Sequence, residues 1–179
     1  YVGEKAIVAE ITSRPHMCGL LAAVAGFSAP DLIKPELQLK GLFRTDLVLG
    51  NSVTRQFALI EFEDAEVDSI FRKTKNKAQY RPWSSRLEHG FGQIVDWAWL
   101  KSDAPNDIVL TSAFGGKIVA SAFLVIAGRD EGIAGEMEER RYLHRTNDVS
   151  IAGVPARVLT YDKMVAAMEL NLITAKSWT

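Results

Sequence analysis

The spacing of apolar residues changes along the chain, and each spacing predicts a different kind of element. Intervals of three or four positions predict helices over 16–27, over 87–101 after a Ser84 or Ser85 cap, and over 162–173; a charged helix is predicted over 135–145. Shorter alternating or continuous apolar runs predict strands over 36–42, 46–49, 57–62, 107–110, 117–126 and 156–160. The first two of these strands, 36–42 and 46–49, are expected to form a hairpin-like pair. This order predicts a mixed β-sheet flanked by helices, of α/β or α+β type.

Composition narrows the class of protein. The chain has 179 residues, of which 47% are hydrophobic and 24% charged, as expected for one globular domain. Its 21 Lys and Arg against 22 Asp and Glu give a formal charge of −1, so any nucleic-acid site has to be a local patch. The single cysteine, Cys18, excludes an intramolecular disulfide, and the longest apolar runs fall short of the ~20 residues that a bilayer requires. We therefore expect a cytoplasmic protein without a membrane partner.

The first residues differ in character from the rest. Residues 1–15 contain a small apolar patch and stop at a proline, so they form either an ordered arm or part of an upstream element. We predict residues 1–30 as an N-terminal arm and helix, and residues 31–179 as the main domain. The chain begins at Tyr1 and not at Met, which is compatible with a fragment whose upstream regulatory domain precedes it.

Three acidic residues lie at the predicted strand ends. Asp46 stands near the start of one strand, and Glu61 and Glu63 close the next strand after a turn at 51–52. Adjacent strands bring Asp46 and Glu61 to one sheet edge, and the two-residue period puts Glu61 and Glu63 on one face. Converging carboxylates repel one another unless a cation lies between them, and oxygen ligands favour Mg²⁺ or Mn²⁺.

A divalent cation at this edge suits phosphodiester hydrolysis. Such an ion lowers the pKa of a bound water from about 15.7 towards neutrality and neutralises charge on a phosphoryl oxygen. The alternative interpretation is a solvated acidic loop, because an Asp and two Glu at this spacing also occur by chance in α/β chains.

Two further features bear on this hypothesis. The segment 72–86 is basic without an acidic residue, and it offers phosphate contacts with Tyr80 and Trp83 as stacking surfaces; the alternative is a solvated loop. Gln93 lies one helical turn after His89 on the polar face of its helix, which is a common surface arrangement. The histidines lack metal-ligand spacing, so a zinc site is not predicted. The candidate nucleic-acid-binding residues are Lys73, Lys75, Lys77, Arg81 and Arg86.

Short motifs in a fixed order carry a resemblance to known proteins. They are RTDLV at 44–48, IEFEDA at 60–65, GQIVDW at 92–97, VIAGRD at 125–130 and LTYD at 159–162. Together they resemble the PD-(D/E)xK nuclease superfamily and, in the wider sequence, its Shedu branch of prokaryotic anti-phage defence proteins. The resemblance extends from about Leu42 to Leu172 and leaves residues 1–30 uncovered.

The resemblance implies both a fold and a function. It implies an α/β domain with a restriction-endonuclease-like αβββαβ core and C-terminal α/β additions. It further implies a metal-dependent DNA endonuclease that follows a variable sensing domain and forms homo-oligomers. By motif position, Asp46 and Glu61 would bind Mg²⁺ or Mn²⁺ with the carbonyl of Phe62, and Gln93 would orient groups of the site.

One position departs from the family motif. Glu63 stands where the motif has a lysine, so it would bind a second metal or accept a proton from water in place of stabilising phosphorane charge. Lys40 or Lys73 are possible sources of the missing cation. Two other functions stay open: a catalytically inactive module on the same fold for DNA binding or oligomer assembly, and an interaction domain without nucleic acid.

Overall fold

Two helices come before the sheet in the computed structural model, which describes residues 3–73, 80–116 and 120–176. Helix α1 spans Glu4–Thr12 and helix α2 spans Pro15–Val24. Proline suits the first turn of α2 because the amide at that position has no partner within a helix. The helix predicted over 16–27 is confirmed, and α1 lies in the segment for which the sequence left two interpretations open.

Five strands follow, and they pair differently from the prediction. They are β1 (Leu32–Pro35), β2 (Gln38–Leu39), β3 (Phe43–Arg44), β4 (Leu47–Asn51) and β5 (Gln56–Phe62). The expected pairing of 36–42 with 46–49 is wrong, because β2 folds back on β3 and β4 pairs with β1. Lys40 and Gly41 both have positive φ, the geometry of a tight hairpin turn, so the apolar alternation stops there.

The middle of the chain contains α3 (Ser85–Asp103), α4 (Ile108–Ala113) and β6 (Ala120–Ile126). The hydroxyl of Ser84 accepts a hydrogen bond from the amide of Leu87, which confirms the predicted cap of α3. The strand predicted over 107–110 is wrong. The carboxylate of Asp107 accepts from the amides of Val109 and Leu110 and thereby starts a helix.

The C-terminal part adds α5 (Glu136–Asn147), β7 (Ser150–Ile151), β8 (Val154–Leu159) and α6 (Tyr161–Lys176). One 3₁₀ turn, Asp130–Gly132, comes between β6 and α5. The charged helix over 135–145, the strand over 156–160 and the last helix over 162–173 are confirmed within a few residues.

The main sheet is mixed, and its topology brings three strand ends together. In the described part of the chain it has six strands in the order β1-β4-β5-β6-β8-β7. Strand β4 runs antiparallel to both β1 and β5, and β7 runs antiparallel to β8, whereas β5, β6 and β8 are mutually parallel. The α/β class and the mixed sheet flanked by helices are therefore confirmed. Because β5, β6 and β8 are parallel, the segments that leave their C-terminal ends meet at one edge of the sheet.

Each face of the sheet has its own core. Phe57 and Leu59 of β5 belong to the core beneath α3, whereas Ala58 and Ile60 belong to the core shared with α2 and α6. This alternation continues past the apolar part of β5, so the side chains at 61 and 63 lie on the α3 side. In the described residues, no helix combines the length and apolar character needed to cross a membrane.

Candidate metal centre

The register of β4 and β5 places Asp46 beside the end of β5. Leu47 lies opposite Ile60, and Asp46 precedes Leu47 by one residue. Asp46 Oδ2 accepts a hydrogen bond of 2.8 Å from the backbone amide of Phe62. Burial raises the pKa of the Asp46 carboxyl, and this effect outweighs the hydrogen bond, which lowers it. The predicted approach of Asp46 to the end of β5 is thus present.

Glu61 is the most strongly perturbed carboxyl of the site. Its side chain is buried with 6% of the residue exposed, and no described group forms a hydrogen bond with its Oε2 atom. Burial raises the pKa of Glu61 to about 9, with further contributions from the neighbouring carboxylates of Asp46 and Glu63. A buried oxygen without a partner is costly, so Glu61 is placed for a ligand that supplies positive charge.

Glu63 connects the sheet edge to α3. Its Oε1 atom lies 2.7 Å from Nδ1 of His89, and the hydroxyl of Tyr161 donates a 2.7 Å hydrogen bond to its backbone carbonyl. Burial is the largest cause that raises the pKa of Glu63, and His89 opposes it.

The helix comes close to Glu63 because residue 90 is a glycine. A Cβ atom at Gly90 would lie 3.1 Å from Cγ of Glu63 and 3.0 Å from Cγ1 of Val125. Both distances are tighter than ordinary contacts, so a larger residue would require Glu63, Val125 or the helix to shift by a few tenths of an ångström. Gly90 thereby permits the close approach of α3 to Glu63.

Ligand atoms of three residues converge at this position. One carboxylate oxygen each from Glu61 and Glu63 and one ring nitrogen of His89 all lie within 4.8 Å of one another. Two hard oxygen donors beside one imidazole form a donor set that fits a divalent cation.

We use the name carboxylate cluster for the three predicted acidic residues alone, which are Asp46, Glu61 and Glu63.

A cleft of about 350 Å³ lies in front of Asp46, between α1 and the strand β3. Glu4, Arg44 and Asp46 are among its lining residues. Burial and the nearby Asp46 raise the pKa of Glu4, so the acidic character of the carboxylate cluster extends to the start of α1. The cleft gives solvent and ligands a route to the Asp46 side of the cluster.

Among the predicted site residues, the structure brings ligand atoms of Glu61 and Glu63 together with His89. Asp46 lies beside the end of β5 and its charge raises the pKa of Glu61, but in the described residues it does not belong to the group whose ligand atoms lie within 4.8 Å of one another. Gln93 lies on α3 one turn after His89 and is half-buried; within the described part of the chain it forms no hydrogen bond with the carboxylate cluster. A role for Gln93 in orienting groups of the site therefore stays a prediction.

The arginines predicted to bind nucleic acid have contacts within the chain. The guanidinium of Arg81 donates to the backbone carbonyls of Phe71, Arg72 and Gly132 and so ties two loops together. Arg86 forms an ion pair of 2.8 Å with Asp64, next in sequence to Glu63. Their part in binding nucleic acid stays a prediction.

Of the three lysines predicted to bind nucleic acid, the structure describes Lys73. Lys73 is highly exposed, with 76% of its side chain accessible, and its Nζ atom lies 3.8 Å from Asp68. Lys75 and Lys77 lie outside the described residues. Lys73 therefore has the exposure that contact with a phosphate backbone requires.

His89 and Glu4 are the site residues that sequence reasoning missed. The sequence placed His89 and Gln93 on one face of their helix. The spacing of the histidines along the chain gave no reason to predict that His89 lies beside the carboxylates. Its neighbour Gly90, which permits the close approach, was the signal that would have connected them. Glu4 gave no signal, because α1 reaches the site only through tertiary packing.

Comparison with known families agrees with the resemblance seen in the motifs. Residues 3–165 match the family model described as "Shedu protein SduA, C-terminal". The match includes α1 and α2 as well as the whole main sheet. The expectation that the resemblance leaves residues 1–30 uncovered is therefore wrong, because the match begins at residue 3. The chain belongs to the Shedu family, which indicates a role in anti-phage defence. No curated protein matches the chain.

Proposed function

We propose that the chain is a metal-dependent DNA endonuclease domain of the PD-(D/E)xK class, which hydrolyses phosphodiester bonds in anti-phage defence. The observation that carries this proposal is the buried, unpartnered Oε2 atom of Glu61, whose pKa is raised further by the charges of Asp46 and Glu63. Repulsion among Asp46, Glu61 and Glu63 disfavours the cluster without a cation, and metal-assisted hydrolysis requires such a cation.

The order of elements supports a restriction-endonuclease-like core. Helix α2, the antiparallel strands β1, β4 and β5, helix α3 and the parallel strand β6 follow one another in the αβββαβ order, with the small β2–β3 hairpin inserted. The elements from α5 onward are then the C-terminal additions. In this arrangement the carboxylate cluster lies at the end of β5 beside α3, where side chains of both elements converge.

The residues of the carboxylate cluster would have different roles in hydrolysis. Asp46 and Glu61 would hold Mg²⁺ or Mn²⁺, and Asp46 is itself oriented by the amide of Phe62. When bound, the cation would activate a water molecule and offset the negative charge that develops on the phosphoryl group. Glu63, whose carboxylate lies beside His89 and close to Gly90, would bind metal or accept a proton.

Binding of DNA and assembly into homo-oligomers belong to the same proposal. The exposed Lys73 would contact backbone phosphate, and such contacts carry no sequence information. Both expectations come from the family resemblance and the basic segment that contains Lys73.

Plasmid cleavage by Asp46→Asn and Glu61→Gln tests the proposal. Each change removes one charged ligand while keeping the shape of the side chain. We expect cleavage in Mg²⁺ to fall at least ~100-fold, since a bound metal contributes several kcal/mol to the transition state and 1.36 kcal/mol corresponds to tenfold in rate. Asp162→Asn is the matched control, because it also removes a charge from an aspartate at this end of the sheet.

The result separates the proposal from its main alternative. Cleavage at the parental rate by either variant would show that the site is assigned wrongly. A parent protein that binds DNA but cleaves it in neither Mg²⁺ nor Mn²⁺ would indicate a catalytically inactive nuclease fold. Glu63 in the position of the family lysine is the observation that favours this alternative.

A further inference from the structure

We propose that His89 is a metal ligand, so that Glu61, Glu63 and His89 form a site with two carboxylates and one imidazole that prefers first-row transition ions to Mg²⁺. This inference deepens the proposed function and rests on it for the use of the metal. It adds a ligand from α3, an element that the strand motifs of the carboxylate cluster do not include.

The first support is geometric. A ring nitrogen of His89 and one oxygen each of Glu61 and Glu63 lie within 4.8 Å of one another, close enough for one ion to contact all three after small side-chain rotations. Nδ1 of His89 already lies 2.7 Å from Oε1 of Glu63, and Gly90 allows the helix to come this close. The imidazole is therefore held at the cluster by the backbone of α3.

The second support is the unsatisfied carboxylate. Glu61 is more than nine-tenths buried, and its Oε2 atom has no hydrogen-bond partner among the described residues. The pairing of His89 with Glu63 leaves this oxygen without positive charge. A cation between the three side chains would satisfy Glu61 and Glu63 together, which one imidazole proton cannot do.

The nitrogen atom determines the choice of metal. Carboxylates alone suit Mg²⁺, Ca²⁺ and Mn²⁺, whereas imidazole suits later first-row ions. Affinity for a mixed nitrogen and oxygen site rises from Mn²⁺ to Co²⁺ and beyond. Removal of the imidazole should therefore weaken the binding of Co²⁺ more than the binding of Mg²⁺.

The chain provides a matched control for His89. His144 of α5 forms a comparable pair, with Nδ1 lying 2.9 Å from Oδ2 of Asp148. Both histidine side chains are mainly exposed, with 64% accessible for His89 and 73% for His144. His144 differs in having one exposed carboxylate as a partner, whereas His89 has a buried partner, Glu63, and a ligand atom of a second buried carboxylate, Glu61, within 4.8 Å.

The test titrates Co²⁺ and Mg²⁺ separately into the protein without DNA, by calorimetry, for the parent, His89→Gln and His144→Gln. We expect His89→Gln to weaken Co²⁺ binding at least ~10-fold and Mg²⁺ binding less than ~3-fold, whereas His144→Gln changes neither. The Co²⁺ form of the parent should also show a paramagnetically shifted imidazole NH signal in its proton NMR spectrum that His89→Gln lacks.

Two results would overturn the inference. Unchanged Co²⁺ affinity in His89→Gln would exclude the imidazole from the site. An equal loss of Co²⁺ and Mg²⁺ affinity, without a shifted imidazole signal in the parent, would show that His89 only positions Glu63.

The titration is independent of the proposed endonuclease activity. A parent that fails to cleave DNA but binds Co²⁺ through His89 refutes the proposed function and leaves this site standing. A parent that cleaves DNA while His89→Gln binds Co²⁺ like the parent refutes this inference alone.

Discussion

Two groups of side chains that include carboxylates lie at the ends of the parallel strands. They differ in whether the chain itself supplies cations that pair with these carboxylates. At β5 the carboxylate cluster, Asp46, Glu61 and Glu63, is buried or half-buried. Beyond β6 and β8 lies a second group, which we call the paired cluster. It consists of Arg129, Asp130, Asp162 and Lys163.

In the paired cluster every carboxylate has a cation from the chain itself. The guanidinium of Arg129 donates to both oxygens of Asp162 at 2.7 to 3.0 Å, and Nζ of Lys163 lies 2.7 Å from Asp130. These contacts lower the pKa of Asp162, with the hydrogen bond from Arg129 as the largest cause. The paired cluster is thus a structural contact in which each carboxylate already has a cation of the chain as its partner.

The carboxylate cluster shows the reverse. Burial and mutual repulsion raise the pKa of Glu61, and its Oε2 atom has no partner in the described chain. Both groups contain aspartates or glutamates at strand ends, so acidic residues in that position do not define a site by themselves. The difference is that Asp130 and Asp162 form ion pairs with cations of the chain, whereas no described cation forms an ion pair or a hydrogen bond with Oε2 of Glu61.

The largest effect expected from this contrast concerns Glu63. Glu63→Gln keeps the shape of the side chain and a hydrogen-bond partner for His89, but it removes the negative charge that would accept a proton or bind metal. We expect the single-turnover rate of DNA cleavage to fall ~100-fold while DNA affinity changes less than ~3-fold. Single-turnover assays in Mg²⁺ and Mn²⁺, with Asp162→Asn as control, measure both quantities.

Glu63→Lys sharpens the same test. The substitution recreates the residue of the family motif, but it places an ammonium group beside carboxylates that are arranged around another acid. We expect no gain in the cleavage rate of Glu63→Lys over the parent.

The outcome for Glu63→Gln decides the role of Glu63. An active parent whose Glu63→Gln variant is equally active would exclude Glu63 from the mechanism and leave the roles of Asp46 and Glu61 unchanged.

Much of the fold could be predicted because its elements carry strong local patterns. Strand β5 is a continuous apolar run, helix α3 has an apolar face at helical spacing, and Ser84 is a good helix cap. The errors lie where local and tertiary preferences compete. Edge strand β1 has four residues and ends in proline, so its pattern was too short to distinguish it from a loop. The Asp107 carboxylate caps the start of a helix, so a helix forms there although the residues after it have high β-propensity.

The site could be predicted as far as the sheet determines it. Two-residue alternation is enough to place Glu61 and Glu63 on one face, and strand adjacency is enough to place Asp46 near them. His89 joins them through the packing of α3 on the sheet, and Glu4 through the packing of α1. Such contacts depend on distances between elements, for which a single sequence has no periodic signal.

The stability of Glu61→Gln should reveal what it costs to bury an ionisable carboxyl without a partner. The pKa of about 9 in the folded protein lies above the ordinary value of 4.5, so the unfolded chain loses its proton first as pH rises. The free energy of unfolding therefore falls with rising pH between these two values, by at most about 1.4 kcal/mol for each pH unit. We expect Glu61→Gln to be ~2 kcal/mol more stable than the parent at pH 8 in chelator, measured by urea denaturation.

A saturating divalent cation should reverse that order, because only the parent keeps both carboxylate ligands and binding stabilises the folded state. Glu169→Gln, an exposed position on α6, is the control and should change stability little under both conditions. A Glu61→Gln variant that is less stable than the parent in chelator at pH 8 would contradict the uncompensated state of the cluster.

The smallest expected effect lies in the paired cluster and has the opposite sign. Asp162→Asn loses the charge that faces Arg129, in a contact that is partly exposed and therefore screened, so we expect a loss of about 1 kcal/mol at neutral pH. Because the folded pKa of Asp162 is lowered, its contribution is present above the ordinary value of 3.8 and is lost as pH falls through the folded pKa. The difference between parent and variant in urea denaturation should thus shrink in acid. A variant as stable as the parent at neutral pH would mean that the paired cluster, too, lacks a net stabilising role, and that pairing alone does not distinguish the two groups.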